Sequence, residues 1–165
     1  MKNKSMNILI VAILVLSLLS ITLIVFLDDA HNRFKQDITV NAGGVTEEIM
    51  AVRDLHLNPT ESREYSVNFT CAASGLYDFA IEYIEEKDGG MKNFVNVNVR
   101  FGDELLYSGR LADLFLEDVV LEFQGELHAT EPVTVKFSYE MPYEVGNEAQ
   151  GTSADFDIRF TVSKA

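Results

Sequence analysis

From residue 63 onward, apolar and polar positions alternate along the chain with a period of two, the signature of strands that bury one face and wet the other. Tyr65, Val67, Phe69 and Cys71 share one side of the first clear run, with Ser66, Asn68 and Thr70 on the other. Tyr77, Phe79, Ile81 and Tyr83 repeat the pattern after a turn at Ser74-Gly75, and Glu86 to Gly90 then read as an exposed turn. Val95, Val97, Val99 and Phe101 give the cleanest alternation, which a helix would scatter around all its sides. A short strand at 104–107 follows. Leu111, Leu114 and Phe115 have helical spacing and predict a single turn. Val119, Leu121 and Phe123 then face inward, with Gly125 ending the run. Two strong strands close the chain, one with Val133, Val135, Phe137, Tyr139 and Met141 inward, the other with Phe156, Ile158, Phe160 and Val162.

Before residue 63 the pattern is weaker. Ile38 to Val40 suit a first strand, Asn41-Ala42-Gly43-Gly44 a flexible turn, and residues 46–52 fit either a helical turn or a strand. Ala51, Leu55 and Leu57 are expected on one face, interrupted by Arg53, and Asn58-Pro59 ends that run. The expected fold class is all-β: a two-sheet, jelly-roll-like sandwich of seven or eight antiparallel strands, preceded by an N-terminal hydrophobic helix.

That helix is expected from Ile8 to Leu27, which holds no charge and only Ser17, Ser20 and Thr22 as polar interruptions. Twenty residues at about 1.5 Å each reach about 30 Å, the thickness of a bilayer core. Lys2 and Lys4 precede the segment and Asp28 and Asp29 follow it, so the positive-inside rule places the rest of the chain outside the cytoplasm. The segment reads as either a signal peptide or an uncleaved transmembrane anchor, because Asp28-Asp29-Ala30 is a poor match to a small-x-small cleavage site. The domain plan is therefore residues 1–30 as signal peptide or signal anchor, 31–44 as a stalk or N-terminal strand, and 45–165 as the sandwich.

The 165 residues carry a formal charge of −13. Such a charge argues against nucleic acid as a partner, which needs a basic face. Candidate chemistry is thin. His31, His56 and His128 are scattered with no metal-binding spacing; His56 and His128 read as solvated side chains. Cys71 is the lone cysteine and reads as a buried small hydrophobe. Glu85, Glu86 and Asp88, and separately Asp103 and Glu104, crowd turns without matching a calcium loop. Asn68-Phe69-Thr70 matches the glycosylation acceptor pattern. No catalytic residue, metal site or cofactor is assigned, and the chain is not expected to be an enzyme. The candidate functional segment is residues 31–40, with Phe34, Ile38 and Val40, as an extended piece able to pair with an open sheet edge.

Ser108-Gly109-Arg110-Leu111-Ala112-Asp113-Leu114, Leu121-Glu122-Phe123-Gln124-Gly125-Glu126 and Gly146-Asn147-Glu148-Ala149-Gln150-Gly151-Thr152 carry a family likeness. Together with Asp54-Leu55-His56-Leu57-Asn58-Pro59, they make residues 45–163 resemble the TasA/camelysin family of secreted Gram-positive biofilm-matrix and surface proteins. Thr60 stands where that family usually has Gly, and the signal-cleavage region differs. The resemblance implies a jelly-roll domain with an extracellular structural or matrix-associated role at the cell surface. It also implies fibre assembly through donation of an N-terminal strand, for which copies of the chain or a related matrix protein are the partners. The metalloprotease label attached to camelysin-like relatives does not transfer, since no zinc signature is present. The alternative is a membrane-tethered accessory module, reaching the membrane through residues 8–27 if uncleaved, that captures a protein or polysaccharide. For that role Tyr77, Tyr83, Tyr107, Tyr139 and Tyr143 are the aromatic candidates, the first, second and fourth at expected core positions.

Overall fold

The computed structural model describes residues 33–41 and 43–165, almost wholly the unit Phe34–Ala165. It holds nine strands: β1 (Arg33–Val40), β2 (Thr46–Leu55), β3 (Ser62–Cys71), β4 (Gly75–Gly89), β5 (Asn96–Phe101), β6 (Glu104–Arg110), β7 (Val120–Leu127), β8 (Val133–Glu140) and β9 (Ser153–Lys164). They form a five-stranded sheet in the order β1-β3-β8-β5-β6 and a four-stranded sheet in the order β2-β9-β4-β7. Without β1, each sheet has four strands, and apart from the β5–β6 hairpin, which stays within one sheet, the chain crosses between them at every step, as in a jelly roll.

The core is where the inward faces meet. Phe69 of the five-stranded sheet packs edge-on against Phe79 and Phe160 of the other, with ring centroids 5.3 Å and 5.6 Å apart. Phe137 meets Phe160 at 5.9 Å and Tyr139 meets Phe156 at 5.8 Å. Edge-to-face contacts of this kind add to the burial of large rings. Tyr65, Val67, Phe69, Cys71, Tyr77, Phe79, Ile81, Tyr83, Val95, Val97 and Val99 are all buried.

The expected fold needs correction in several places. Among the described residues the strands number nine, and β1 is not antiparallel to its neighbour. The bonds linking β1 to β3 join residues 31 or 32 positions apart throughout, so both strands run the same way. Parallel neighbours need a crossover, and β2, lying in the opposite sheet, supplies it. Among the described residues the only helices are 3-10 turns of three to five residues. None is long and apolar enough to cross a membrane. The apolar residues here alternate along strands, which leaves no continuous apolar helical surface. The hydrophobic helix and transmembrane anchor expected over residues 8–27 lie outside the described residues.

Three local expectations also change. In β2 the buried apolar residues are Met50 and Val52, followed by Leu55, while Ala51 is exposed. A bulge between Val52 and Leu55 inverts the face, with Asp54 at φ 50°. Arg53 leans across it to give its Nη1 to the Phe156 carbonyl at 2.8 Å and its Nη2 to Asp157 at 2.6 Å. β4 runs on through the expected turn at 86–90, because residues 85–89 still pair with β9 across a second bulge. Gly125 does not end β7: it is a buried strand position where a Cβ would come within 2.4 Å of the Phe101 ring. The missing side chain there makes room for the Phe79–Phe101–Phe123 cluster.

Candidate functional site

Phe34, Ile38 and Val40 all lie on the inward side of β1, at the rim of the five-stranded sheet. Ile38 and Val40 are buried, whereas Phe34 remains 46% exposed and tilts against Tyr65 with ring centroids 6.0 Å apart. Full burial of two branched aliphatic side chains stabilises the docked strand by about 1.5–3 kcal/mol each. Phe34 contributes less because half of it is wet.

The outward side of β1 is held by polar contacts. Asn68 Nδ2 donates to Asp37 Oδ1 at 2.6 Å, and Thr134 Oγ1 of β8 donates to Asn68 Oδ1 at 2.8 Å. Asn68 is thereby buried with its amide satisfied on both sides. Ser66 Oγ donates to the Phe34 carbonyl at 3.5 Å, Thr70 Oγ1 donates to the Ile38 carbonyl at 3.3 Å, and the Thr39 and Thr70 hydroxyls lie 3.3 Å apart. The glycosylation pattern at Asn68 is therefore occupied by strand pairing in the folded domain. β1 leaves the sheet through residues 41–45. There the Asn41 N–H is taken by Thr46 Oγ1 at 2.9 Å, while Gly43, Gly44 and Val45 are exposed.

The remaining candidates do not gather at one place. His31 lies outside the described residues. His56 is not a solvated side chain: it is half-buried, and its Nδ1 donates to the Thr152 carbonyl at 2.8 Å, which fixes the tautomer. His56 and Thr152 are far apart in sequence, so no local pattern could announce that contact. His128 is exposed in the β7–β8 turn. Cys71 is buried near Tyr77, whose hydroxyl donates to the Ala73 carbonyl at 2.6 Å. Burial pushes the Tyr77 phenol above its ordinary range, with Cys71 adding to the effect. Glu85 is paired with Lys92. Among the described residues, no group of three or more His, Cys, Asp and Glu is placed to hold a metal.

Of the tyrosines, Tyr77, Tyr83 and Tyr139 are core residues, Tyr107 is half-buried and Tyr143 is 80% exposed. Desolvation raises the phenols of Tyr83 and Tyr139 above their ordinary range, and Tyr107 is raised by burial with help from Asp113. They do not line a common outer face. Asn58 and Glu61 build the turn before β3: the Asn58 N–H and side-chain amide both donate to the Glu61 carboxylate, at 2.9 Å and 3.0 Å. Those two bonds hold the Glu61 carboxyl below its usual value, against a smaller opposing effect of burial. Asn147 and Gln150, part of the family likeness, bond to each other at 2.9 Å and shape the turn into β9, with Gly151 at φ 74°. Their work is structural.

No family model matches the chain, and no curated protein matches it. Solved structures give distant likenesses. The CUB1-EGF-CUB2 domains of rat MASP-1 share 10% identity over 78% of this chain and 43% of that one, at a TM-score of 0.35. The insecticidal delta-endotoxin Cry8Ea1 of Bacillus thuringiensis shares 15% over 72% of this chain and 20% of that one, at 0.32. PliG of Aeromonas hydrophila, a periplasmic inhibitor of g-type lysozyme, shares 11% over 79% and 99%, at 0.33. The chain thus spans less than half the length of the first two. Likeness at this level carries no argument about family, ligand or activity.

Proposed function

We propose that this chain is an extracytoplasmic structural or surface protein whose work is association, with β1 as the segment it donates to neighbouring copies. The observation that carries this reading is the placement of β1. It is an edge strand, parallel to β3, followed by a glycine-containing connection in which Asn41, Gly43, Gly44 and Val45 are exposed. An edge strand can leave without opening the sheet interior. Its departure uncovers the hydrogen-bonding rim of β3, and an identical β1 from a second copy fits the same rim with the same contacts, the condition for strand exchange. The charge distribution on either side of the sequence segment 8–27 supports the extracytoplasmic placement. The TasA/camelysin likeness of residues 45–163 supports the assembly role.

Cysteine trapping tests the proposal. Thr39 and Thr70 bring their hydroxyls within 3.3 Å, so Thr39→Cys with Thr70→Cys, in a Cys71→Ser background, forms a disulfide wherever β1 lies on β3. Oxidation of the full chain at high concentration is expected to give a ladder of covalent oligomers on a non-reducing gel. A single internally linked monomer band at every concentration overturns strand exchange.

A further inference from the structure

We propose that the free edge of β7, in the four-stranded sheet, is a second interaction surface that accepts an extended cationic segment of another protein as an added strand. It lies in the sheet opposite to β1 and does not depend on strand exchange there.

The four sheet edges are unequal. β2 is bulged between Val52 and Leu55, and β6 carries an extra residue opposite Val99 and Arg100, features that discourage pairing. β1 already rests parallel on β3. β7 pairs with β4 from Val120 to Leu127 without a register break, and among the described residues β4 is its sole neighbour in the sheet. It therefore offers an uninterrupted row of backbone donors and acceptors, which a strand can complete.

The side chains along this edge select what can bind. Glu122, Gln124 and Glu126 are exposed on the outer face of β7, and Asp78 of β4 lies beside them, accepting from Gln124 at 2.8 Å. At the start of the strand a groove runs between Ile84 of β4 and the Leu116–Val120 turn, where Leu116 is 61% and Val120 41% exposed. Glu82, Glu85, Glu117 and Asp118 surround this apolar floor. Arg159 bonds Glu82 at 2.8 Å and Lys92 pairs with Glu85, whereas Glu117 and Asp118 make no salt bridge among the described residues. Like charges directly opposite each other on adjacent strands are destabilising and opposite charges favourable. A second β7 is thus repelled, and a strand bearing Lys or Arg at alternate positions, with an apolar residue at the groove, is complementary.

The test uses the full chain and a labelled synthetic peptide of alternating Lys and Val, with the Glu and Val counterpart as control. The Lys peptide is expected to bind with an affinity that falls as salt rises and to slow amide exchange over residues 120–127. Glu122→Lys with Glu126→Lys is expected to weaken it by about tenfold or more, in line with the coupling of close charge pairs. Glu47→Lys on β2 is expected to leave it unchanged. Equal binding of both peptides, protection appearing at β3, or insensitivity to the β7 charge reversal overturns the proposal. So does self-association of the unliganded chain that the β7 reversal alters, which would make a second copy the occupant. Cysteine trapping of β1 reads a different sheet, so failure there leaves this result interpretable.

Discussion

The hydroxyls of Tyr83 and Tyr139 lie 3.1 Å apart at the centre of the sandwich, one from each sheet, both rings buried among Tyr65, Phe137 and Phe156. One hydroxyl donates to the other, so each polar group satisfies its partner where water is excluded.

Removing one member of that pair leaves the other orphaned. Tyr139→Phe or Tyr83→Phe is expected to cost about 1–3 kcal/mol in urea unfolding, while the double substitution costs less than the sum of the two. Additive losses would show that the hydroxyls do not support each other. The same pair contributes to alkaline behaviour, together with the raised phenols of Tyr77 and Tyr107. The pair's phenols are raised in the folded state, so their contribution is complete below the unfolded value near 10 and declines above it as the unfolded chain ionises. Stability is expected to fall from about pH 10 upward by as much as about 1.4 kcal/mol per pH unit per phenol. The doubly substituted chain should show a shallower decline.

Gly125 is the position where β7 can least tolerate a side chain. A Cβ there would reach within 2.4 Å of Phe101 Cζ, inside a cluster in which Phe79 stacks on Phe123 at 4.9 Å. Gly125→Ala is expected to destabilise by about 1–3 kcal/mol through forced ring movement. Gly125→Ala combined with Phe101→Leu should recover part of the loss in thermal unfolding. No recovery would place the cost in the backbone instead.

Asn68 holds β1 in register. Asn68→Asp would set a second carboxylate against Asp37, whose Oδ1 now accepts from the Asn68 amide at 2.6 Å. The expected result is faster amide exchange across residues 34–40 at neutral pH, with residues 95–99 still protected. Recovery of β1 protection in the Asp37→Asn, Asn68→Asp double variant would tie the effect to that one contact.

How much of this was legible in the chain depended on whether period-two alternation was unbroken. β3, β5, β8 and β9 keep one residue per position, so Val67, Val97, Phe137 and Phe160 declare their face directly. β2 did not, because a single extra residue at the bulge moves the buried set from Met50 and Val52 to Leu55. Gly125 was misleading for a related reason: glycine marks a turn in sequence, yet here its meaning comes from Phe101, which belongs to another sheet.

The candidate segment divides in the same way. Phe34, Ile38 and Val40 stood out as an extended apolar series, and alternation alone decided that they share a side of β1. That β1 docks beside β3, runs parallel to it and buries Asn68 between Asp37 and Thr134 was decided by the tertiary structure. The same holds for which strands are left at the edges and where the acidic row of β7 faces. Sequence by itself determined the period of burial, since that depends on each residue's own side chain and its neighbours two positions away. Partner, direction and edge depend on which segments meet across long loops, and only the closed sandwich settles that.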